Sequence, residues 1–239
     1  PDDENTMDYF LGKRPTGATT DSKVDLGMIV RDIDELVVLN DEAHHIHDSR
    51  LAWFKSIEDI HNRLKQKGAA LVFEDEASFR QDPTLYQTWA RIGSQPEIPT
   101  TGQRNTLKIF GSMEIYCGRF LYNFQEVFNA QTYIAYLERI LKSYFPRKVY
   151  LVQDNASYHK DGDVWTWFSD HRKYLIVYNL PPYSPQFNPL ERIWHHTRLH
   201  GTHNRYFTTQ HELHAVLIST FRSIQKNPSQ VQGYLCPYQ

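Results

Sequence analysis

Three carboxylates stand where local structure would aim them at one point. Asp75 follows the apolar run AALVF, Asp154 follows KVYLV within VQDNASYHK, and Glu191 opens a helical stretch just after LPPYSPQFNPL. Two acids at strand ends and a third in the first turn of a helix can converge, and hard oxygen ligands of this kind suit Mg²⁺ or Mn²⁺. Without a cation the cluster would repel itself and some of its pKa values would rise. With two metal ions about 3.5–4 Å apart, such a site can activate a water or a 3′-hydroxyl and steady the leaving oxygen of an in-line displacement at phosphorus. That chemistry needs neither a Ser-His-Asp arrangement nor a Gly-rich phosphate loop.

The elements that must position these acids follow from periodicity. From Asp48 to Lys67, Leu51, Phe54, Ile57, Ile60 and Leu64 recur as on one helical face, with Gly68 as a C-cap behind Lys65 and Lys67. AALVF then reads as a buried strand, and LKIFGSMEIY and RFLYNFQEVF, joined by CG, read as an antiparallel pair. NAQTYIAYLERILKSYF is an amphipathic helix that Asn129 or Thr132 can cap, with Tyr133, Leu137, Ile140 and Leu141 on one face. KVYLVQD is the next strand, VWTWFSDH a helix and KYLIVYNL another strand; PPYSPQFNP interrupts regular structure before the helices of ERIWHHTRLH and HELHAVLISTFRSI. The expected fold is α/β, a mixed sheet flanked by helices, preceded by a small α/β or irregular appendage over the first 70 residues.

Composition agrees with one substantial domain plus that appendage. The 239 residues are 40% hydrophobic and 23% charged, which excludes a wholly disordered or fibrous chain. Cys117 and Cys236 are far apart and in no metal-ligand spacing, and no apolar stretch approaches the roughly 20 residues of a membrane span. A cytosolic location without membrane attachment is the expectation. Residues 1–70 carry 9 Lys+Arg against 14 Asp+Glu, and residues 71–239 carry 17 against 14, so a mildly basic part follows an acidic one. The basic part is compatible with a nucleic-acid partner, and equally with an ordinary mixed surface.

FEDEASF, LVQDNASYHK and LPPYSPQFNPLERIW resemble, in order, the three catalytic blocks of mariner-like bacterial insertion-sequence transposases of the DDE superfamily. The resemblance covers roughly residues 71–220 and includes WARIGSQP; PPYSPxxNPxE is a highly specific string, and 36 residues separate Asp154 from Glu191. It implies an RNase H-like catalytic domain over 71–239, with Asp75, Asp154 and Glu191 as the metal-binding triad for DNA strand cleavage and strand transfer. It further implies Mg²⁺ or Mn²⁺ as cofactor, element-end and target DNA as partners, a homodimer on DNA, and action at the nucleoid of a bacterial cytoplasm. Around the triad, Asn155 and His159 are candidates to support the site or touch DNA, with a structural role as the alternative for each. Asn188 and Pro189 would shape the turn that delivers Glu191, and Arg192 and Arg198 would contact phosphates or solvate a helix face. Strand alternation turns Glu74 and Glu76 away from Asp75, to back the site or meet solvent. Trp194 is expected in the core, and the adjacent His195 and His196 point apart, against a zinc site.

A second acidic stretch, VVLNDEAHH, resembles in Asp41-Glu42-Ala43-His44 the DEAH box of superfamily 2 helicases and restriction-enzyme translocases, and the likeness extends over about residues 28–68. ATP hydrolysis also needs GxxxxGK[ST], and GKRPTGATT lacks that spacing. Residues 1–70 are therefore read as a helicase-like fragment without ATPase function, joined to the catalytic domain; they show no pair of short helices of the helix-turn-helix kind that such transposases ordinarily carry. The alternatives are an inactive DNA-binding or interaction protein, or a fragment of an ATP-dependent helicase or restriction subunit.

Overall fold

The structure, a computed structural model, describes residues 49–231 apart from 91, 93–96, 101, 103–104, 115–116 and 182–183. The stretch VVLNDEAHH and the elements expected before it lie outside the described residues.

Helix α1 (Ser49–Gln66) buries Ile57 and Leu64 and closes at Gly68. Gly68 takes φ 68°, its N–H bonds the Lys65 carbonyl, and the next N–H, of Ala69, reaches back to Leu64. A glycine adopts this left-handed conformation without Cβ strain, which is why the helix ends there.

Strand β1 (Ala70–Arg80) is far longer than the apolar run AALVF that announces it. Two ladders explain its length. It pairs in parallel with β4 (Val149–Gln153) from Ala70–Val149 to Phe73–Val152. It pairs antiparallel with β2 (Thr106–Glu114) from Phe73–Met113 to Arg80–Thr106. The acids at 74–76, expected just beyond the strand, therefore lie inside it: β2 goes on pairing where β4 has ended. β2 turns back through Gly118 (φ 67°) into β3 (Arg119–Gln125), and β4 pairs in parallel with β5 (Leu175–Asn179), giving the order β3-β2-β1-β4-β5.

Alternation along β1 builds a core on each side of this mixed sheet. Leu71, Phe73, Ala77 and Phe79 face α1, α4 (Leu190–Thr197) and α5 (Gln210–Lys226). Ala70 and Val72 face α2 (Ala130–Tyr144) and α3 (Gly162–Asp170). Fully buried Phe73, Phe110, Tyr133, Tyr136 and Trp194 dominate the two cores, and burying side chains of this size contributes on the order of 2–3 kcal/mol each. Helix α2 starts in a capping box, Asn129 accepting from the Thr132 N–H while Thr132 accepts from the Asn129 N–H. At the other end of β2, buried Glu114 accepts two bonds from the Arg147 guanidinium, 2.8 and 3.1 Å, and the same guanidinium donates to the Ala69 carbonyl at 2.7 Å. This ties the start of β1 to the end of β2. Among the described residues, no helix is long and apolar enough to cross a membrane.

Candidate active site

Phe73 and Val152 are the last partners of the parallel β1–β4 ladder. Asp75 and Asp154 each lie two residues further along, so the ladder brings both acids to one level at the C-terminal end of the strand pair. There the parallel neighbour stops and leaves an open edge, the usual place for chemistry in an α/β sheet.

Asp75 is buried, and its Oδ2 accepts a 2.9 Å hydrogen bond from the indole N–H of Trp194. Its cross-strand partner on β2 is Gly111. A Cβ at Gly111 would stand 2.3 Å from Trp194 Cη2, so the missing side chain is the space the indole fills to reach Asp75. The Asp154 side chain is half exposed, and its Oδ1 accepts the Ala156 N–H at 2.9 Å, which fixes the carboxylate in a local turn.

Glu191 projects from the first turn of α4, exposed to solvent. Buried Asn188 anchors that turn. Its Nδ2 donates to the Glu74 carbonyl on β1 at 3.0 Å, and its Oδ1 accepts the Leu190 N–H at 3.2 Å. The Glu191 N–H also bonds the Asn188 carbonyl. One asparagine thus docks the start of α4 on the strand that carries Asp75.

Negative charge accumulates here. Burial holds the Asp75 carboxyl well above the usual carboxylate range; the charges of Glu191, Glu76 and Asp154 push it further, and the Trp194 bond opposes them. Glu191 is raised by the atoms crowding it and by Asp154, with Arg198 opposing. Carboxylate oxygens of Asp75, Glu76 and Asp154 all lie within 4.8 Å of one another. A set of oxygen donors whose ionised forms repel one another fits a hard divalent cation.

A family model described as DDE superfamily endonuclease matches residues 70–214. The chain is a DDE superfamily endonuclease. Two crystal structures of the Mos1 mariner paired end complex share its fold at 16% identity. The complex with Mn gives a TM-score of 0.51 over 97% of this chain and 84% of that one, and the complex with Mg gives 0.50 over 98% and 86%. The mixed sheet flanked by helices is accordingly RNase H-like. No curated protein sequence matches the chain.

The endonuclease distributes the remaining candidates unevenly. Asn155 donates to the Leu180 carbonyl at 2.5 Å and links the loop after β4 to the end of β5. His159 is buried, which removes it from direct contact with a ligand outside the fold; its Nδ1 lies 3.1 Å from the Asp154 carbonyl oxygen. Arg198 lies over the Phe79 ring at 5.2 Å, on the Glu191 side of the site, and Arg192 follows Glu191 in the first turn of α4. His195 is exposed and His196 buried, so the adjacent pair does diverge. Trp194 is in the core as expected, but its hydrogen bond to Asp75 spans 119 residues and nothing local signals it.

Glu74 and Glu76 follow the first of their two expected courses, backing the site rather than meeting solvent. Alternation does turn them from the Asp75 face, and neither is a solvent group: Glu74 is completely buried and the Glu76 side chain is 12% exposed. Glu76 also approaches Asp75 and Asp154, past the point where the parallel partner of β1 ends. The string FEDE contained the signal, but strand periodicity argued against using it.

Proposed function

We propose that this endonuclease cleaves DNA strands and transfers the resulting ends to a target, as the catalytic domain of an insertion-sequence transposase, with Asp75, Asp154 and Glu191 as its acidic triad. The observation that carries the reading is the common level of Asp75 and Asp154 beyond the Phe73–Val152 pair, with α4 docked beside them through Asn188. These three side chains would hold Mg²⁺ or Mn²⁺, and Glu76 is close enough to join them. The two Mos1 complexes contain Mn and Mg, which supports that choice of ions. Divalent cations bound there supply polarisation of the phosphate and a lowered pKa for the attacking hydroxyl.

The chain's own residues position the reaction. The Trp194 N–H holds one Asp75 oxygen and leaves the other for the open edge. The Ala156 N–H orients Asp154, and exposed Glu191 meets the nucleic acid from the solvent side. Arg192 and Arg198, on the same helical segment, offer positive charge to phosphates, a sequence-independent attraction that weakens with salt. In this reading the partners are element-end and target DNA, engaged by a homodimer in the bacterial cytoplasm at the nucleoid, without ATP. Residues 1–70 form a helicase-like segment ahead of the catalytic domain at 71–239, and the α1 part of that segment lends Ile57 and Leu64 to the shared core.

Cleavage of element-end DNA with Mg²⁺ or Mn²⁺ tests the proposal. Asp154→Asn and Asp75→Ala are expected to abolish cleavage, and Asp154→Asn to do so with an unchanged circular dichroism spectrum. Wild-type cleavage by Asp154→Asn would refute the assignment, and metal binding without cleavage of any DNA by the wild type would favour an inactive binding protein.

A further inference from the structure

Behind the Asp75 face, the Glu74, Glu76 and His159 side chains crowd together. Both Glu74 carboxylate oxygens are buried without a hydrogen-bond partner, and Glu76 Oε1 and His159 Nε2 are buried beside them. Nε2 lies 3.2 Å from Glu76 Oε1 and 4.0 Å from Glu74 Oε2, and donor atoms from the three residues fall within 4.8 Å of one another. Glu74 has neither oxygen satisfied within the protein, and its carboxylate shares a common point with the neighbouring donor atoms.

The His159 tautomer sharpens this. Nδ1 lies against the Asp154 carbonyl oxygen, which only accepts, so Nδ1 carries the proton. That leaves Nε2, which faces the two carboxylates, as the ring nitrogen placed to act as a ligand. Among the described residues, the cationic partner in reach of Glu74 is His159 Nε2, at 4.0 Å. The nearby Tyr133 ring packs on His159 at 4.3 Å, but its hydroxyl donates to the Gln153 side-chain oxygen. A buried carboxyl without a hydrogen-bond partner is costly, and a bound cation is one arrangement that satisfies it.

We propose that Glu74, Glu76 and His159 form a second divalent-cation site, on the face of β1 opposite Asp75, that takes a transition-metal ion, Mn²⁺ or Zn²⁺. One imidazole nitrogen with two carboxylates suits these ions better than Mg²⁺, which prefers oxygen and keeps its waters. Ligand atoms at about 2.0–2.2 Å from a single ion stand about 3–4 Å apart, the spacing found around Nε2. Glu76 belongs to both clusters, and His159 touches the Asp154 backbone, so an ion at the rear fixes two groups of the front. The site needs neither Asp75 nor Glu191, and it shares Glu76 with the front cluster.

Manganese electron paramagnetic resonance on the full chain tests this, because the front carboxylates offer oxygen alone and the rear site offers one nitrogen. The metal-stripped Asp75→Asn/Glu191→Gln variant, given one equivalent of Mn²⁺, is expected to show coupling to a directly bound nitrogen. The coupling is lost when His159→Gln or Glu74→Gln is added, and one equivalent of Zn²⁺ displaces the manganese signal. An oxygen-only spectrum, no bound ion, or a nitrogen coupling that survives in Glu74→Gln overturns the site, even where His159→Gln fails to fold. Nitrogen-resolved NMR showing His159 protonated on both ring nitrogens, unchanged by Mn²⁺ or Zn²⁺, also overturns it. Since the spectra are read on a variant without two front carboxylates, failure of DNA cleavage mimics none of these results.

Discussion

Trp194 and Asp75, 119 residues apart, meet as a buried indole N–H and a buried carboxylate oxygen at 2.9 Å. This bond lowers the Asp75 pKa against burial and three neighbouring acids. Trp194→Phe keeps most of the packing and removes the donor. It is expected to reduce metal-dependent cleavage by about 10- to 100-fold. The pH needed for cation binding should move upward, because Asp75 then ionises less readily. Cleavage rates and Mn²⁺ affinity measured across pH check both effects; an unshifted pH profile would count against the bond's role.

Gly111 makes that bond possible by leaving room for the indole. In Gly111→Ala the new methyl lands on the Trp194 ring, which is fully buried and cannot retreat into solvent. Overpacking of this kind costs about 1–3 kcal/mol. Denaturant unfolding should show the loss, with a changed indole fluorescence and impaired cleavage.

Asn188 connects α4 to β1 through two bonds. Asn188→Ala leaves the buried Glu74 carbonyl without this donor and the Leu190 N–H without its acceptor, at a cost of about 1–3 kcal/mol. Cleavage is expected to fall more than stability alone accounts for, since Glu191 loses its fixed distance from Asp75. Mn²⁺ titration against thermal unfolding separates the two losses.

Stability should respond to pH in an unusual direction when metal is absent. Glu74, Asp75, Glu76 and Glu191 all have pKa values raised in the folded protein, with burial as the largest cause for each. A raised carboxyl stabilises the fold in full below its unfolded pKa of about 4, and that contribution is lost as pH rises through the folded value. The chelated protein is therefore expected to melt at a higher temperature near pH ~5 than near pH ~8. Saturating Mn²⁺, which favours the ionised forms, should shrink the difference, and Asp75→Asn should raise the melting temperature of the metal-free protein at neutral pH. Calorimetry with and without chelator decides it.

How far these features were legible depended on the range of the interactions behind them. The helices over Ala130–Tyr144 and Gln210–Lys226 follow from local periodicity and caps, because backbone and side-chain bonding within a few residues creates them. Strand β1 was legible only as far as its apolar run, since its second half is held by pairing with β2 about thirty residues away. Asp75, Asp154 and Glu191 could be singled out because each follows or opens a recognisable element. Trp194 as the partner of Asp75, and His159 as the neighbour of Glu74 and Glu76, could not, for they are joined only by packing across the sheet.

By itself, then, the order of residues determined the elements, the likeness of the acidic blocks to a known family and the alternation that sets Asp75 apart from Glu74 and Glu76. Tertiary structure alone decided what each face became. Pairing of β1 with β4 ended at Phe73–Val152 and so gave Asp75 and Asp154 a common open edge. Packing of α2 and the 3₁₀ turn Ser157–Lys160 on the other face enclosed Glu74 with His159. A carboxylate's chemistry is set by its dielectric surroundings and its neighbouring charges, and for Glu74 those neighbours include one 85 residues away in the chain.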